Sequence, residues 1–323
     1  MSRIIAIYDG DILAFRASAA IEKRTVKVTH ISSNKSKVFD TRTQFKDFLK
    51  DKGKDYIKED YTFEDLQEAE PIANCLSILK NQIERINSDL FVDEYIIGVG
   101  GKDNFRDSLP LPKKYKGNRE GGLKPVHLDA AKKYLIKYHN AVVVNKHEVD
   151  DFLIYKGYEY LAKGYTPIIV GIDKDSYSAS GLSLYDFTKD VPEVELIPSF
   201  GSLWDTGDKI TGRGFIWLCQ QLLNGDSTDN FKPSELAKVK FGEKSAYKLL
   251  KDTTTQQEAL SVVLEQYKKW YPEPVTYLDY SGVEHTKDYL EIFDLYYRCA
   301  RMMQHENDTL DSKEFIDKYT KEV

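Results

Sequence analysis

The sequence predicts an α/β fold, in which a mostly parallel sheet is flanked by helices and followed by a helical region. Short apolar runs rich in Ile and Val recur through the first part of the chain, as in strands that are buried on both faces of a parallel sheet. Helical patterns lie between these runs, and βα alternation makes a mostly parallel sheet the simplest topology. After Gly214 the pattern becomes almost wholly helical.

The individual elements follow from the spacing of apolar residues. Strands are predicted at residues 4–8, 94–99, 141–144, 167–171 and 182–187. Apolar residues three and four apart predict a helix over 72–86, and a further helix is predicted after Glu148. The mixed segment 25–61 is consistent with a β-hairpin and a short helix. Beyond Gly214, helices are predicted at residues 215–223, 233–239, 244–251, 256–271 and 286–304.

Composition narrows the class of protein. The chain has 323 residues, of which 30% are charged, and a mean hydropathy of −0.50, values typical of globular proteins. No apolar run approaches the roughly 18 residues of a membrane span, and the amino terminus reaches acidic residues too early for a signal peptide. We therefore expect a cytoplasmic protein with no membrane partner. Three scattered cysteines indicate reduced thiols and argue against a disulfide or zinc framework.

Basic residues are concentrated in two stretches, although the net charge is −6. Residues 102–146 hold eleven Lys and Arg against four acidic residues, and Lys also dominates residues 232–251. Such segments suit a polyphosphate backbone, because distribution matters more than total charge for nucleic-acid binding. A solvated surface is the other reading of either stretch.

Nine acidic residues form four clusters, each at the end of a predicted strand or helix. Carboxyl ends of parallel strands share one sheet edge, and crowded carboxylates there would repel one another unless hard cations lay among them. Carboxylates are the ligands preferred by Mg²⁺ or Mn²⁺. Taken singly, each cluster could also be an ordinary turn or an acidic helix start. The nine residues are Asp9, Asp11, Glu148, Asp150, Asp151, Asp173, Asp175, Asp226 and Asp229.

The order and spacing of YDGD, YKGNR, EVDD, GIDKDS and GDSTDN resemble the flap endonuclease and 5′→3′ exonuclease family, especially its bacteriophage and bacterial polymerase-linked members. The resemblance implies a PIN-like nuclease domain over residues 1–213, with a helical arch or a loop at 103–137. It also implies a helical DNA-binding and C-terminal region over 214–323, with a helix-hairpin (helix-three-turn-helix) module, packed as part of one nuclease unit. Localisation would then be the host bacterial cytoplasm if a phage encodes the chain.

The same resemblance assigns roles to residues. The acidic residues would bind two Mg²⁺ ions, or Mn²⁺, with Lys116 and Arg119 as catalytic residues at the scissile phosphate. The hairpin carbonyls would hold K⁺. Tyr115 could stack on an unpaired base or could be a partly buried anchor of its loop. The predicted DNA-binding residues are Lys113, Lys114, Tyr115, Gly242, Lys244, Ser245 and Lys248.

Two segments depart from the family pattern. The family has an Asp at the end of its second principal strand, whereas residues 96–102 contain no acidic residue; Asp11 could supply the missing carboxylate. In the hairpin, Lys240-Phe241-Gly242 replaces the usual Gly-x-Gly, and the extra segment 232–239 precedes it. The first departure bears on the number of metal ions bound, and the second bears on how the hairpin binds duplex DNA.

The predicted function is Mg²⁺-dependent hydrolysis of phosphodiester bonds at 5′ ends or 5′ flaps of DNA, including RNA primers in RNA–DNA hybrids, in replication or repair. Three alternatives stay open from the sequence. They are a PIN-type ribonuclease, a haloacid-dehalogenase-like phosphatase with Asp9 as nucleophile and Asp11 as acid/base, and a non-catalytic DNA-binding protein. The sequence leaves the oligomeric state and the balance of exonuclease and flap cleavage open.

Overall fold

The computed structural model describes residues 2–119 and 121–320. Thirteen strands and ten α-helices occur in these ranges. In chain order they are β1 (Ile4–Asp9), α1 (Gly10–Ala19), β2 (Glu22–His30), β3 (Lys35–Phe39), α2 (Arg42–Asp51), β4 (Tyr61–Ala69), α3 (Ile72–Asp89), β5 (Glu94–Gly100), α4 (Leu128–Tyr138), β6 (Val142–Val144), α5 (Val149–Ala162), β7 (Thr166–Val170), β8 (Ser183–Tyr185), β9 (Val194–Leu196), β10 (Ser202–Asp205), β11 (Ile210–Arg213), α6 (Phe215–Asn224), α7 (Glu243–Leu250), α8 (Gln256–Trp270), β12 (Val275–Leu278), β13 (Glu284–Lys287), α9 (Tyr289–Ala300) and α10 (Ser312–Thr320).

The main sheet has six strands in the order β6-β5-β1-β7-β8-β9. Five of them run parallel, and only β9 pairs antiparallel, with β8. The predicted mostly parallel sheet flanked by helices is therefore confirmed. The central strand β1 is fully buried from Ile5 to Tyr8, which explains why it is apolar at consecutive positions instead of alternating. All five predicted strands lie within one or two residues of observed ones.

A separate three-stranded antiparallel sheet has the order β3-β2-β4. The predicted hairpin followed by a short helix corresponds to β2, β3 and α2, and Phe45 and Leu49 of α2 join a small core with Val26 and Val28 of β2. Strand β4 was not predicted, because charged residues dominate its exposed positions and it pairs with β2, thirty or more residues earlier in the chain.

Two helices predicted after Gly214 were wrong in part. Residues 233–239 form turns, because their amide hydrogen bonds reach back only three residues and Lys238 has a φ of +55°, a conformation that ends a helix. Residues 284–287 form strand β13, and the last long helix begins only at Tyr289. Asp288 fixes this start through a capping box with Glu291.

The chain divides into two compact units. One comprises Met1–Ile12, Ile86–Gly122 and Ile136–Val323, and the other comprises Leu13–Arg85 and Leu123–Leu135. The main sheet and the helices after Gly214 belong to the first unit. In the segment for which a helical arch or a loop is predicted, residues 103–119 contain two short 3-10 turns, and α4 covers Leu128–Tyr138.

None of the helices in the described ranges is both long enough and apolar enough to span a bilayer.

Candidate metal and phosphate site

The topology brings the predicted acidic residues to one edge of the main sheet. Asp9 is the last residue of β1, and Asp173 lies just beyond the end of β7, which pairs with β1 in parallel. Glu148 is the N-cap residue of α5, so Asp150 stands in the first turn of that helix. Parallel strands end at the same edge, and this edge belongs to the first compact unit alone.

Asp175, Asp226 and Asp229 form a tight group. Their nearest carboxylate oxygens all lie within 4.8 Å of one another, and all three side chains are buried. Two local contacts hold the group in place. The side-chain amide of Gln221 on α6 donates to Oδ1 of Asp175 at 2.7 Å, and the Thr228 amide donates to Oδ1 of Asp226 at 2.7 Å. We call these three residues the loop group.

A second group forms around Asp150, on which the charges of Asp173, Asp9 and Glu148 act. The Asp9 carboxylate is fixed by the amides of Asp11 and Ile12, which donate to its Oδ1 at 2.9 and 3.0 Å. We call Asp9, Glu148, Asp150 and Asp173 the sheet-edge group. The charge of Asp175 also acts on Asp150, so the two groups form one electrostatic centre.

Crowding changes the acidity of these carboxyls. Burial, together with the charges of Asp11 and Asp173, raises the pKa of Asp9 to about 7. Burial and neighbouring carboxylates also raise the pKa values of Asp150 and Asp175 well above the ordinary range. Like charges in a desolvated site disfavour ionisation, and a bound divalent cation reverses that effect. The donor set consists of carboxylate oxygens, so it fits Mg²⁺ or Mn²⁺.

Asp11 lies where β5 lacks an acidic residue. The Gly100 amide at the end of β5 donates to Oδ1 of Asp11 at 3.0 Å. A Cβ atom at position 100 would stand only 2.7 Å from the other carboxylate oxygen of Asp11. Gly100 therefore makes room for this carboxylate at the strand end, which is the place that the sequence analysis considered for it.

Asp151, predicted as a metal ligand, has a different environment from the one expected. Arg106 donates to both of its carboxylate oxygens, at 2.5 and 3.0 Å, and both side chains are fully buried. The amides of Met303 and Glu148 donate to the same two oxygens. Burial alone would raise the pKa of Asp151, but Arg106 holds it below its ordinary value. Both oxygens are thus engaged within the protein, and we assign Asp151 a structural role.

Sequence reasoning missed Arg106, which is the largest fully buried side chain in the described part of the chain. Besides the pair with Asp151, it donates to the main-chain carbonyls of Arg298 and Arg301. Its side-chain partners lie more than 40 residues away, so local spacing could not reveal them. Arg106 thus joins the first turn of α5 to the end of α9.

Tyr115 has the environment of an anchor and not of a stacking platform. Its side chain is buried at 2% exposure. The hydroxyl lies 2.7 Å from Oδ2 of Asp229 and 3.1 Å from Oε2 of Glu148. Tyr115 therefore links the loop group to the sheet-edge group, and its ring is not available to a base.

The two predicted catalytic residues both lie against these acidic groups. Lys116 forms an ion pair with Glu148, and its Nζ is 3.7 Å from Oδ1 of Asp229. Burial alone would lower the pKa of Lys116, but Glu148 and Asp229 raise it above its ordinary value. Arg119 donates to Oδ1 of Asp229 at 2.7 Å and to the Thr228 carbonyl at 3.1 Å. Both side chains are partly exposed, so they can also reach a ligand.

Lys174 is a third cation at this site, and the sequence analysis did not select it. Its Nζ lies 2.7 Å from Oδ2 of Asp226, and its side chain is 43% exposed. Its place in the sequence between Asp173 and Asp175 could have identified it, because a residue between them must lie at the same sheet edge.

Four of the predicted DNA-binding residues belong to α7 and its N-cap, and the start of this helix is open. Gly242 is the N-cap residue, and a Cβ there would meet nothing within 4 Å. Lys244, Ser245 and Lys248 are exposed on this helix. The main chain at the start of α7 is fixed by α6, because the Gln220 side chain donates a hydrogen bond to the Glu243 carbonyl at 2.9 Å.

Lys113 and Lys114 precede Tyr115 in the loop. Lys113 forms an ion pair with Glu235 while remaining largely exposed. The carbonyl of Lys114 accepts a hydrogen bond from the Asn230 side chain at 2.9 Å. Both therefore lie in a segment that is fastened to the loop carrying Asp226 and Asp229.

No protein-family model and no curated protein matches the chain. Among solved structures it is similar to a T5 5′-exonuclease mutant, at 12% identity and a TM-score of 0.48, over 98% of this chain and 96% of that one. A zinc-bound T5 5′-exonuclease matches at 13% identity and a TM-score of 0.46, over 99% of this chain and 100% of that one. A bacteriophage T5 flap endonuclease in complex with DNA and metal ions matches at 14% identity and a TM-score of 0.44, over 99% of this chain and 100% of that one. These are 5′-exonuclease and flap-endonuclease folds, and the similarity is one of fold alone.

The environment of Arg106 generates a stability prediction. Arg106→Ala leaves the Asp151 carboxylate buried without its partner, so we expect a loss of about 3–5 kcal/mol in the free energy of unfolding. Urea unfolding followed by circular dichroism measures this loss. Arg3→Ala, which removes an exposed pair with Glu94 in the same unit, should cost no more than about 1 kcal/mol. Equal unfolding midpoints for the two variants would contradict the structural role of the buried pair.

Proposed function

We propose that the protein is a Mg²⁺-dependent 5′ nuclease, which hydrolyses phosphodiester bonds at 5′ ends or 5′ flaps of DNA. The observation that carries this proposal is the meeting of two carboxylate groups at one sheet edge with Lys116 and Arg119 directly against them. Acidic residues that hold divalent ions, next to side chains that neutralise phosphate, are the requirements of metal-assisted phosphoryl transfer.

Each group of acidic residues has room for one ion in this proposal. The sheet-edge group of Asp9, Glu148, Asp150 and Asp173 would hold the first, with Asp11 beside it. The loop group of Asp175, Asp226 and Asp229 would hold the second. Bound Mg²⁺ or Mn²⁺ supplies an activated water and stabilises the leaving oxygen during in-line displacement.

Lys116 and Arg119 have separate tasks in the proposed reaction. The Lys116 ammonium, kept protonated by Glu148 and Asp229, neutralises charge on a phosphoryl oxygen as a point charge. The Arg119 guanidinium offers a planar fork that can bind two phosphate oxygens together. Both cations lie beside Asp229, so in this proposal they hold the scissile phosphate against the carboxylate groups.

A polynucleotide is the proposed substrate, because phosphate-binding groups also occur away from the metal site. Lys244 and Ser245 are exposed at the start of α7, where helix amides favour a phosphate, and Lys248 is exposed in the last turn of this helix. The proposal includes a K⁺ ion at the carbonyls before α7, RNA–DNA hybrids as substrates, and a role in replication or repair. Contacts of this kind read the backbone, so we expect little sequence preference.

The decisive experiment compares a 5′-labelled flap substrate, a blunt DNA duplex and an RNA of the same sequence, with Mg²⁺ and with EDTA. Short labelled fragments released only with Mg²⁺ support a 5′ nuclease, and fragment length separates flap cutting from stepwise digestion. Cleavage confined to RNA would indicate a ribonuclease. Binding of the flap without cleavage, or phosphate release from a small ester alone, would contradict the proposal.

Removing one carboxylate of the sheet-edge group should abolish cleavage. Asp150→Asn and Asp173→Asn keep the side-chain shape but remove a charged metal ligand, so we expect turnover to fall by at least about a thousandfold. Affinity for the flap substrate, measured by fluorescence anisotropy in EDTA, should stay near that of the unchanged protein. Near-normal turnover in either variant would remove that residue from the site.

Lys116 should act on chemistry more than on capture of the substrate. Lys116→Ala is expected to lower the single-turnover cleavage rate about a hundredfold, with a much smaller effect on the dissociation constant. Lys268→Ala is the matched control, because it removes an exposed lysine of α8 that has no assigned role at the site, and it should leave both quantities unchanged. Weaker binding at an unchanged rate would reassign Lys116 to substrate capture.

Because the sheet-edge group and the loop group would each hold one metal ion, we expect the protein to bind two ions. Titration with Mn²⁺, followed by the electron paramagnetic resonance of the free ion, should give two bound ions per chain. Asp226→Asn should weaken one of them, since it removes a ligand of the loop group. Asp205→Asn changes a carboxylate on strand β10 and should leave both ions bound. A stoichiometry that Asp226→Asn does not alter would contradict a metal site at the loop group.

A further inference from the structure

Strands β12 and β13 form a hairpin whose turn lies against the segment leading to Lys116. The Tyr277 hydroxyl donates to the Pro110 carbonyl at 2.7 Å, and the Tyr280 hydroxyl donates to the Asp107 carbonyl at 2.7 Å. The Tyr280 amide donates to the Leu111 carbonyl at 2.9 Å. Three consecutive contacts of this kind hold the segment at its beginning. We call residues 275–287 the C-terminal hairpin and residues 107–119 the strap.

The turn of the C-terminal hairpin is rigid enough to serve as a support. Oδ1 of Asp279 accepts hydrogen bonds from the amides of Ser281 and Val283 at 2.8 and 3.0 Å. Its other carboxylate oxygen lies 2.9 Å from Nε2 of His285 on β13. These contacts fix the backbone on both sides of Tyr280, so its hydroxyl has a defined position.

The strap is held at its other end by the loop that carries the acidic residues. The Lys116 amide donates to the Asp229 carbonyl at 2.9 Å, and the Asn118 side chain donates to the Ser227 carbonyl at 2.7 Å. Between the two ends, Leu109 and Leu111 are buried in the core. The proline residues Pro110 and Pro112 also restrict the backbone there. The strap is therefore held at both ends and along its length.

Lys116 needs such support because of its own backbone. Its φ is +52°, in the left-handed region that a side chain with a Cβ atom rarely adopts. A conformation of this kind persists only where the surroundings impose it. The Asp229 carbonyl binds the Lys116 amide, Tyr115 anchors the preceding residue, and the C-terminal hairpin holds the strap from Asp107 to Leu111.

We propose that Tyr277 and Tyr280 are positioning residues, which hold the strap so that the Lys116 ammonium stands at the scissile phosphate. The proposal rests on the proposed nuclease function and extends it to a part of the chain outside the carboxylate site. It predicts that the two hydroxyl groups act on the reaction only through Lys116.

The first test removes both hydroxyl groups in the double variant Tyr277→Phe/Tyr280→Phe. Both rings remain, so packing is retained while two carbonyls of the strap lose their donors. We expect kcat on the flap substrate to fall about tenfold, because small displacements of a catalytic group cost this much or more, while KM changes less than twofold. Tyr289→Phe, at the start of α9 just after the hairpin, is the matched control and should leave both constants unchanged. An unchanged kcat in the double variant would overturn the proposal.

A double-mutant cycle separates positioning from a general loss of structure. In a Lys116→Ala background, removal of the two hydroxyl groups should have no further effect on the cleavage rate, because the group they position is gone. The same tenfold loss in both backgrounds would mean that the tyrosines act independently of Lys116, and the proposal would be wrong.

Hydrogen exchange tests the mechanical part without any cleavage. In the double variant, the amides of residues 111–117 should exchange several-fold faster than in the unchanged protein, whereas those of β1 should not change. Unchanged exchange in the strap would overturn the proposal even in an active enzyme. If the strap loosens but the unchanged protein cleaves no nucleic acid, the proposed function fails and the role of the tyrosines in catalysis fails with it, while the mechanical support stands.

Discussion

Mutual repulsion of carboxylates at one edge of the main sheet is the constraint on which the rest of this structure depends. Parallel strands deliver Asp9 and Asp173 to the same edge, and the start of α5 adds Asp150. The pKa of Asp9 rises to about 7 because burial and neighbouring charge both oppose ionisation. Without a bound cation, this crowding of buried carboxylates lowers the free energy of unfolding. It is understandable as a site built for divalent ions, whose charge turns the same repulsion into binding.

Much of this could be predicted from the sequence, because the strands are short apolar runs buried on both faces. Ile5 to Tyr8 are fully buried, so no polar residue interrupts the pattern and the strand end is marked directly by Asp9. The same reasoning placed Asp175 beside the sheet and Asp226 at the end of α6. Strand ends and helix starts are local features that can be predicted from the sequence, so the positions of the acidic residues next to them can be predicted as well.

The features that could not be predicted are set by distant partners. Its place beside Glu148 and Asp150 made Asp151 a candidate metal ligand, but Arg106, 45 residues earlier, binds its carboxylate in the core. Strand β13 was taken in part for helix, because it is short and polar and only Gly282 marks the turn before it. Residues 233–239 have helix-forming composition, yet they form turns beside the anchored loop. In each case tertiary contacts override local preference.

The cations around the site differ in whether they can be exchanged. Arg106 and Asp151 are both fully buried, and all of their hydrogen-bonding partners lie within the protein, so this pair is a permanent part of the fold. Lys116, Arg119 and Lys174 pair with buried carboxylates from partly exposed positions. In the proposed function, divalent ions would compete with these three side chains for the carboxylates and would free them to bind a phosphate. In this way one set of charges would serve both the protein alone and its complex with a substrate.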